Sequence, residues 1–417
     1  MKFSDHIKDR EFNKFSVKNG RRVVNTDSPA LSSTPYGERF VAQRTTLFEG
    51  KANVPSVSQI RNNVIVSPPE SSSSVNVSSG EFEINCLPSS EIIFESGERG
   101  RYAPGYEAQA GIGFRIPEVT LTGDSEIEWG YFEGEAGFGY GLDANGFYIF
   151  LKAHGTKTKT RQDDLNTDKL NGLGPSGYKL DLSDGLIFQI DYSWYGYGAV
   201  KFSVLIKSDD PNIGDYVQTI HRFAPKGGAS IAQPNLHLTC RINNDQETPI
   251  IAYVGGRQYS IVGDYNPEIR VTGEFRGSTA VGTTFSPLIT FRRKSETLSQ
   301  LAQSVKLRSS SLAVTDNVVY GYIFDGQLTG ANFQNPRRYT ASETALEVDF
   351  SATAITGGIG VGPTELAIEG QGNRAQITRI GDLTFDLIES KNITLVARAI
   401  TGTATVNLST LNMTEEW

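Results

Sequence analysis

The segment Glu126-Ile127-Glu128-Trp129-Gly130-Tyr131 sets two carboxylates two residues apart. On a β-strand such residues share one face. Retaining glycoside hydrolysis needs a nucleophile and an acid about 5–5.5 Å apart. In some glycosidases a single strand carrying E-x-D-x-E or E-x-D-x-x-E supplies them. Here Gly130 and Tyr131 stand where the second catalytic carboxylate would fall, and Glu133 and Glu135 come late, toward a turn. A glycoside hydrolase is therefore the remotest reading, and no enzyme is expected. The plainer reading is a strand with a polar face and Trp129 in the core.

Three other groupings carry chemistry. Asp164, Asn166 and Asp168 have the alternate spacing with which oxygen ligands converge on calcium. Lys169 and Pro175, however, occupy the places of an EF-hand's glycine and final glutamate. The stronger expectation is that Asp168 caps a short turn while Gly172, Gly174 and Gly177 shape a loop. Gly137-Phe138-Gly139-Tyr140-Gly141 lacks the Lys-Ser/Thr of a phosphate loop and the strand-to-helix setting of a dinucleotide site. Glycines so placed instead allow close contacts within a sheet. Tyr192, Trp194, Tyr195 and Tyr197 form the densest aromatic cluster. Trp194 reads as core, and Tyr192, Tyr195 and Tyr197 are candidate contacts for a sugar or a protein partner.

Composition narrows the classes. The chain has 417 residues with 38% hydrophobic and 21% charged side chains, enough for real cores. Its 43 glycines and 17 prolines point to many turns. No run of 18 apolar residues predicts a membrane span, and the opening MKFSDHIKDREFNKF has no apolar stretch of a secretory signal. Two cysteines, Cys86 and Cys240, exclude a disulfide framework, and whether they pair stays open. Net charge is −8, which argues against nucleic-acid binding. Residues 1–80 nevertheless hold eleven Lys/Arg against seven Asp/Glu. A basic arm on an acidic body suits pairing with a copy of itself or with an acidic partner, and Lys14, Lys18, Arg21 and Arg22 are the candidate anchoring residues.

These groups need strands to position them. Glu81–Cys86 alternates polar and apolar residues, and Ile127, Trp129 and Tyr131 share one strand face. Asn145-Gly146 predicts a type I′ hairpin turn into Phe147–Leu151. Strands follow at 186–194, 200–206 and 235–242. Turn signals every 8–12 residues through β-branched and aromatic runs indicate an antiparallel sandwich. The expected organisation is an extended arm with a Ser/Pro linker over 1–79, a sandwich over 80–265, a connector with one strand and a helical turn over 266–304, and a second β unit over 305–417. Within the arm, Val64-Ile65-Val66 has the pattern of a strand that adds to something else. In the last unit, Val318–Phe324 with Asp325-Gly326 predicts a hairpin, as do Ile393–Ile400 and Thr403–Leu411 about Gly402.

One order of motifs resembles a known family. It runs from Trp129-Gly130-Tyr131-Phe132 through Asp168-Lys169-Leu170-Asn171-Gly172 and Gly174-Pro175-Ser176-Gly177. It ends in Ile190-Asp191-Tyr192-Ser193-Trp194 and His221-Arg222-Phe223. This is similar to a β-sandwich family of tailed-bacteriophage virion proteins, also met in large DNA viruses. Pro287–Lys294, Ala352–Gly358 and Glu415-Glu416-Trp417 extend the resemblance over roughly residues 95–417.

The resemblance implies an all-β, antiparallel, concanavalin-like sandwich of jelly-roll type. It implies a structural component of the virion, assembled in the host cytoplasm: a tail, baseplate or fibre subunit, or a capsid decoration. Other virion proteins are the expected partners. A homo-oligomer, with a trimer first, would cover exposed sheet edges. The alternative is an adsorption module that binds a host surface glycan. No cofactor is expected beyond the calcium candidate.

Overall fold

The computed structural model describes residues 44–53, 56–117, 120–153, 155–193, 198–207, 215–224, 234–263, 265–266, 268–294, 304–367, 376–379 and 386–416, with two short strands at Val17–Lys18 and Arg21–Arg22. Those two strands pair, Lys18 opposite Arg21. Lys14 and the side chains of Lys18, Arg21 and Arg22 lie outside the described residues, as do Trp194, Tyr195 and Tyr197.

The described chain is all-β apart from one 3₁₀ turn at Gln162–Asp164. Two antiparallel sheets form the concanavalin-like sandwich. The first has seven strands, ordered Thr156–Arg161, Gly146–Ala153, Ala136–Asp143, Glu126–Glu133, Leu238–Asn244, Ser90–Ser96 and Asn62–Ser67. The second has eight, running from Tyr216–Phe223 at one edge to Ser74–Ser78 at the other, and Arg44–Lys51 also pairs with its long strand Ile250–Val262.

Alternation along each strand sends one set of side chains between the sheets. Trp129 is fully buried there and stacks on Phe114 from the opposite sheet, ring centroids 4.1 Å apart. Tyr131, Tyr192 and Tyr259 stack behind it, and each hydroxyl finds a partner: Tyr131 donates to the Pro234 carbonyl, Tyr259 to the Arg101 carbonyl, and Tyr192 meets Tyr259 at 2.9 Å. A buried phenol without such partners would cost free energy.

Several expectations are corrected. Residues 44–67 are not a free arm: Arg44–Lys51 and Asn62–Ser67 complete the sandwich of their own chain, because their buried residues, such as Phe48, have core to cover. The hairpin at 143–146 forms, but its turn is not type I′. Asp143 pairs with Gly146, which leaves Ala144 and Asn145 as the central residues, and only Gly146 has positive φ, at 99°. Alanine disfavours the left-handed region, so glycine takes the bulge position instead. The question left open for Cys86 and Cys240 is answered: both are buried free thiols, and burial pushes both upward in pKa.

The second β unit begins before residue 305. Ile269–Arg276, Thr279–Val281 and Ser286–Arg293, placed by sequence in a one-strand connector, are strands of its two five-stranded sheets. The expected helical turn at 296–302 lies outside the described residues. Neither expected hairpin forms. Asn392–Ala399 pairs with Ser286–Arg293 and Val318–Phe324, while Ala404–Glu416 pairs in the other sheet with Ile269–Arg276 and Ser304–Val314. Gln327–Thr329 pairs with Ala354–Thr356. At both turns the chain changes sheet, which buries Leu395 and Leu411 from two layers of one core.

Buried ions join the two units. Arg99 donates to Glu389 at 2.9 Å, and Arg101 reaches Glu416 at 2.8 Å.

Candidate functional site

The sandwich residues weighed for chemistry on Glu126–Glu133 do face outward together. Glu126 and Glu128 lie on the outer face of the seven-stranded sheet, beneath a cleft of about 800 Å³. The cleft spans the sheet from Asn63 and Ile65 to Lys152 and Lys157, and Ile388 to Ser390 of the C-terminal unit wall its end.

Local sequence makes the floor. Gly139 and Gly141 sit directly opposite Phe150 and Tyr148 on the neighbouring strand. A Cβ at Gly141 would fall 2.2 Å from the Tyr148 ring, and one at Gly139 would fall 2.8 Å from Phe150. The missing side chains let both rings lie across the strand, where they cluster with Phe132. The glycine run is thus a seat for aromatic rings, as strand glycines commonly are. Lysines then cover the rings: Lys152 stands 4.4 Å from the Phe132 centroid and Lys159 4.3 Å from that of Tyr148. A cation over an aromatic face is attracted by the ring quadrupole.

The same cations hold the carboxylates. Glu128, fully buried, contacts Lys157 at 2.5 Å, Lys152 at 3.1 Å and Arg241 at 3.3 Å. Glu126 contacts Lys157 and Lys159 at 2.6 Å each and accepts from the Tyr148 hydroxyl at 2.7 Å. Burial alone would raise the Glu126 pKa, but the hydrogen bonds from Lys157, Lys159 and Tyr148 outweigh it and bring it down to about 2. Burial drives Lys152 the other way, below the usual ammonium range, against the pull of Glu128. Arg241 is shared further with Glu91 at 2.5 Å.

At the other end Arg99 bridges Glu133 of the sandwich, at 2.6 Å, and Glu389 of the second unit. His237 lies beside this bridge, its Nε2 3.9 Å from Glu133 and 4.0 Å from Glu95. Burial, with Arg99 nearby, lowers its pKa to about 3, so it stays neutral. The cleft therefore offers fixed donors and acceptors whose charges are already matched. Glu126 is held ionised, the wrong state for a general acid, and the strand carries Gly130 and the inward Tyr131 where a further carboxylate would be needed.

The other candidates separate from this cleft. Tyr192 is a core residue, 2% exposed, so it is withdrawn as a partner contact: its strand turns that face inward. Tyr195 and Tyr197 lie outside the described residues. Asp164, Asn166 and Asp168 do not converge. Asp168 spends both oxygens on backbone N–H groups, Leu170 at 2.9 Å and Ser176 at 2.8 Å. Asn166 exchanges two bonds with the backbone of Arg222. Among the described residues no three His, Cys, Asp or Glu side chains gather to hold a metal ion. The Asp168 loop instead closes on itself, and Gly174 is required because a Cβ there would fall 2.1 Å from Asp168 Oδ1.

Sequence reading missed Lys152, Lys157, Arg241 and Arg99. For Lys157 the alternation of lysine in Thr156–Arg161 was the available signal, since it sets cations together on one face of a strand.

No family model and no curated protein sequence matches the chain. Solved structures resemble part of it. The binding domain of botulinum neurotoxin DC in complex with rat synaptotagmin II is 12% identical over 52% of this chain and 48% of its own, at TM-score 0.32. The Emp47p carbohydrate recognition domain is 10% identical over 52% and 96%, at 0.33. The CBM2 module of the Lactobacillus casei BL23 phage J-1 evolved Dit is 10% identical over 54% and 99%, at 0.31. The toxin domain is thus spanned over about half its length. Overlaps of this extent set no residue correspondence, and the chemistry of the cleft rests on its own geometry.

Proposed function

We propose that this chain is a non-catalytic structural subunit of a tailed-phage virion whose sandwich binds a glycan in the cleft above Glu126 and Glu128. The observation that supports binding is the matched charge of the lining. A charged ligand would have to break existing ion pairs, and breaking a buried pair is expensive. A sugar hydroxyl both donates and accepts. It bonds to a carboxylate and to an ammonium without taking either from its partner. Ile65 and Ile93 supply apolar surface for the C–H faces of the ring.

Placement in a virion is supported by the motif order from Trp129 to Phe223. The Asp168 and Gly174 positions in that order have a demonstrable structural use. In this reading residues 1–43 anchor the subunit to neighbouring virion proteins, copies assemble as a homo-oligomer with three subunits, and the sandwich projects.

Two experiments test the proposal. Gold labelling of particles with an antibody against residues 80–265 is expected to mark the particle surface, and labelling confined to free protein removes the virion role. A glycan array is expected to show retention that Arg241→Ala lowers at least tenfold. Retention of no glycan by folded protein removes the binding role.

A further inference from the structure

The strand Asn62–Ser67 ends the seven-stranded sheet, and it differs from the strand at the other end. Thr156–Arg161 alternates threonine with Lys157, Lys159 and Arg161, the charged pattern that blunts an edge against pairing. Asn62–Ser67 reads Asn-Asn-Val-Ile-Val-Ser and carries no charge. Val64 and Ile65 are 38% and 45% exposed on it. One side pairs with Ser90–Ser96. Among the described residues, no further backbone hydrogen bond reaches residues 63–67 from the other side.

Open space flanks this edge on both faces. Ile65 and Asn63 line the 800 Å³ cleft. Val64 lines a second cavity of about 560 Å³, whose far wall is Phe324, Gly358 and Ile359 of the C-terminal unit. An edge with a pocket on each face is the geometry of strand addition, in which main-chain bonds give affinity and alternate side chains enter the two pockets. The two faces differ in chemistry. The cleft side presents Glu91 and Glu95, directly opposite Ser67 and Asn63. The other side is lined by Val57, Val64, Phe324 and Ile359.

The chain contains a segment with matching faces. Lys14-Phe15-Ser16-Val17-Lys18 alternates strictly, with Lys14, Ser16 and Lys18 on one face of an extended strand and Phe15 and Val17 on the other. Residues 1–43 hold eight Lys/Arg and five Asp/Glu, a net +3 that leaves −11 on the remainder. The acidic body therefore attracts the arm. We propose that Lys14–Lys18 of a neighbouring copy adds as a strand to the Asn62–Ser67 edge. One of its lysines lies over Glu95, and Phe15 and Val17 enter the cavity beside Val64. The added strand lies in the plane of the sheet, about 4.8 Å beyond the edge, and leaves the cleft floor open. The exchange is head to tail, a heterologous contact that gives a ring where the rotation between copies closes and a filament where it does not.

The test mixes unlabelled and ¹⁵N-labelled full-length chain and joins amines to carboxylates with a zero-length carbodiimide. Mass spectrometry is expected to find links from Lys14 or Lys18 to Glu95 between differently labelled copies. Ile65→Lys is expected to reduce those links at least tenfold and to shift light scattering toward monomer. Phe15→Asp, which leaves the sandwich untouched, is expected to do the same. Thr158→Lys, on the edge already charged, is expected to change neither. Links within one copy only, or inter-copy links that survive both Ile65→Lys and Phe15→Asp, overturn the proposal. So does an oligomer that forms without these links.

Discussion

Glu126 beneath the cleft and Glu98 at the junction of the two β units are both carboxylates withdrawn from water, yet their surroundings push them in opposite directions. Under the cleft, four cations (Lys152, Lys157, Lys159 and Arg241) surround two glutamates. Glu126 is accordingly held ionised, down to about 2. At the junction, Glu98 is 3% exposed and has Arg61 at 2.9 Å, but burial first and Asp386 second raise it to about 7. Burial pushes both carboxyls upward, and it is outweighed at Glu126, where Lys157, Lys159 and Tyr148 all donate directly to the carboxylate. Glu126 thus keeps its charge firmly, and Glu98 gives its charge up far more readily.

The largest expected effect breaks the cleft side. Glu128→Ala removes the carboxylate that Lys152, Lys157 and Arg241 share, and leaves Lys152 buried without it. Loss of one partner from a buried pair costs about 3–5 kcal/mol, which denaturant unfolding at pH 7 reads directly. Glu128→Gln keeps the shape and should cost less.

Next comes acid titration. Because folding lowers the Glu126 pKa, its contribution is present above about 4.5 and is lost as pH falls through about 2. The shift corresponds to roughly 3 kcal/mol. Hydrogen exchange in the strands Glu126–Glu133 and Thr156–Arg161 is expected to accelerate in that window, ahead of the eight-stranded sheet.

The junction has the opposite sign. Folding raises Glu98, so its stabilising share is full below about 4.5 and is lost as pH rises through about 7. Glu98→Gln is expected to raise the melting temperature at pH 8 by a few degrees, on the order of 1–2 kcal/mol, and to have little effect at pH 4.5. An equal gain at both values means that Glu98 does not titrate there. The smallest effect is at the rim. Asp143 is lowered by hydrogen bonds from Arg161 and Lys159 against its modest burial, at the turn of the hairpin. Asp143→Asn is expected to cost no more than about 1 kcal/mol, the range of surface pairs, and added salt should shrink it further.

How far these places could be read from sequence follows from how local they are. The strand Glu126–Glu133 was legible because alternation sorts its residues into two faces within eight positions. The use of Asp168 as a turn cap was legible for the same reason: its partners are two and eight residues away. The cations of Glu128 were not, since Lys152 is 24 residues on and Arg241 is 113. The junction was hidden more deeply, because Arg99 meets Glu389 across 290 residues. Tyr192 was misassigned because aromatic density near a turn looks alike whether the rings face in or out. The C-terminal hairpins failed because a turn signal marks a reversal without saying which sheet receives the next strand.

The most direct test of a binding, non-catalytic cleft is to titrate one oligosaccharide retained on the array by calorimetry, then assay the same sample for chain cleavage by mass spectrometry. The account predicts saturable binding that Arg241→Ala and Lys157→Ala each weaken at least tenfold, with the oligosaccharide recovered intact. Cleaved product that disappears in Glu128→Gln, or binding indifferent to both cation variants, would contradict it.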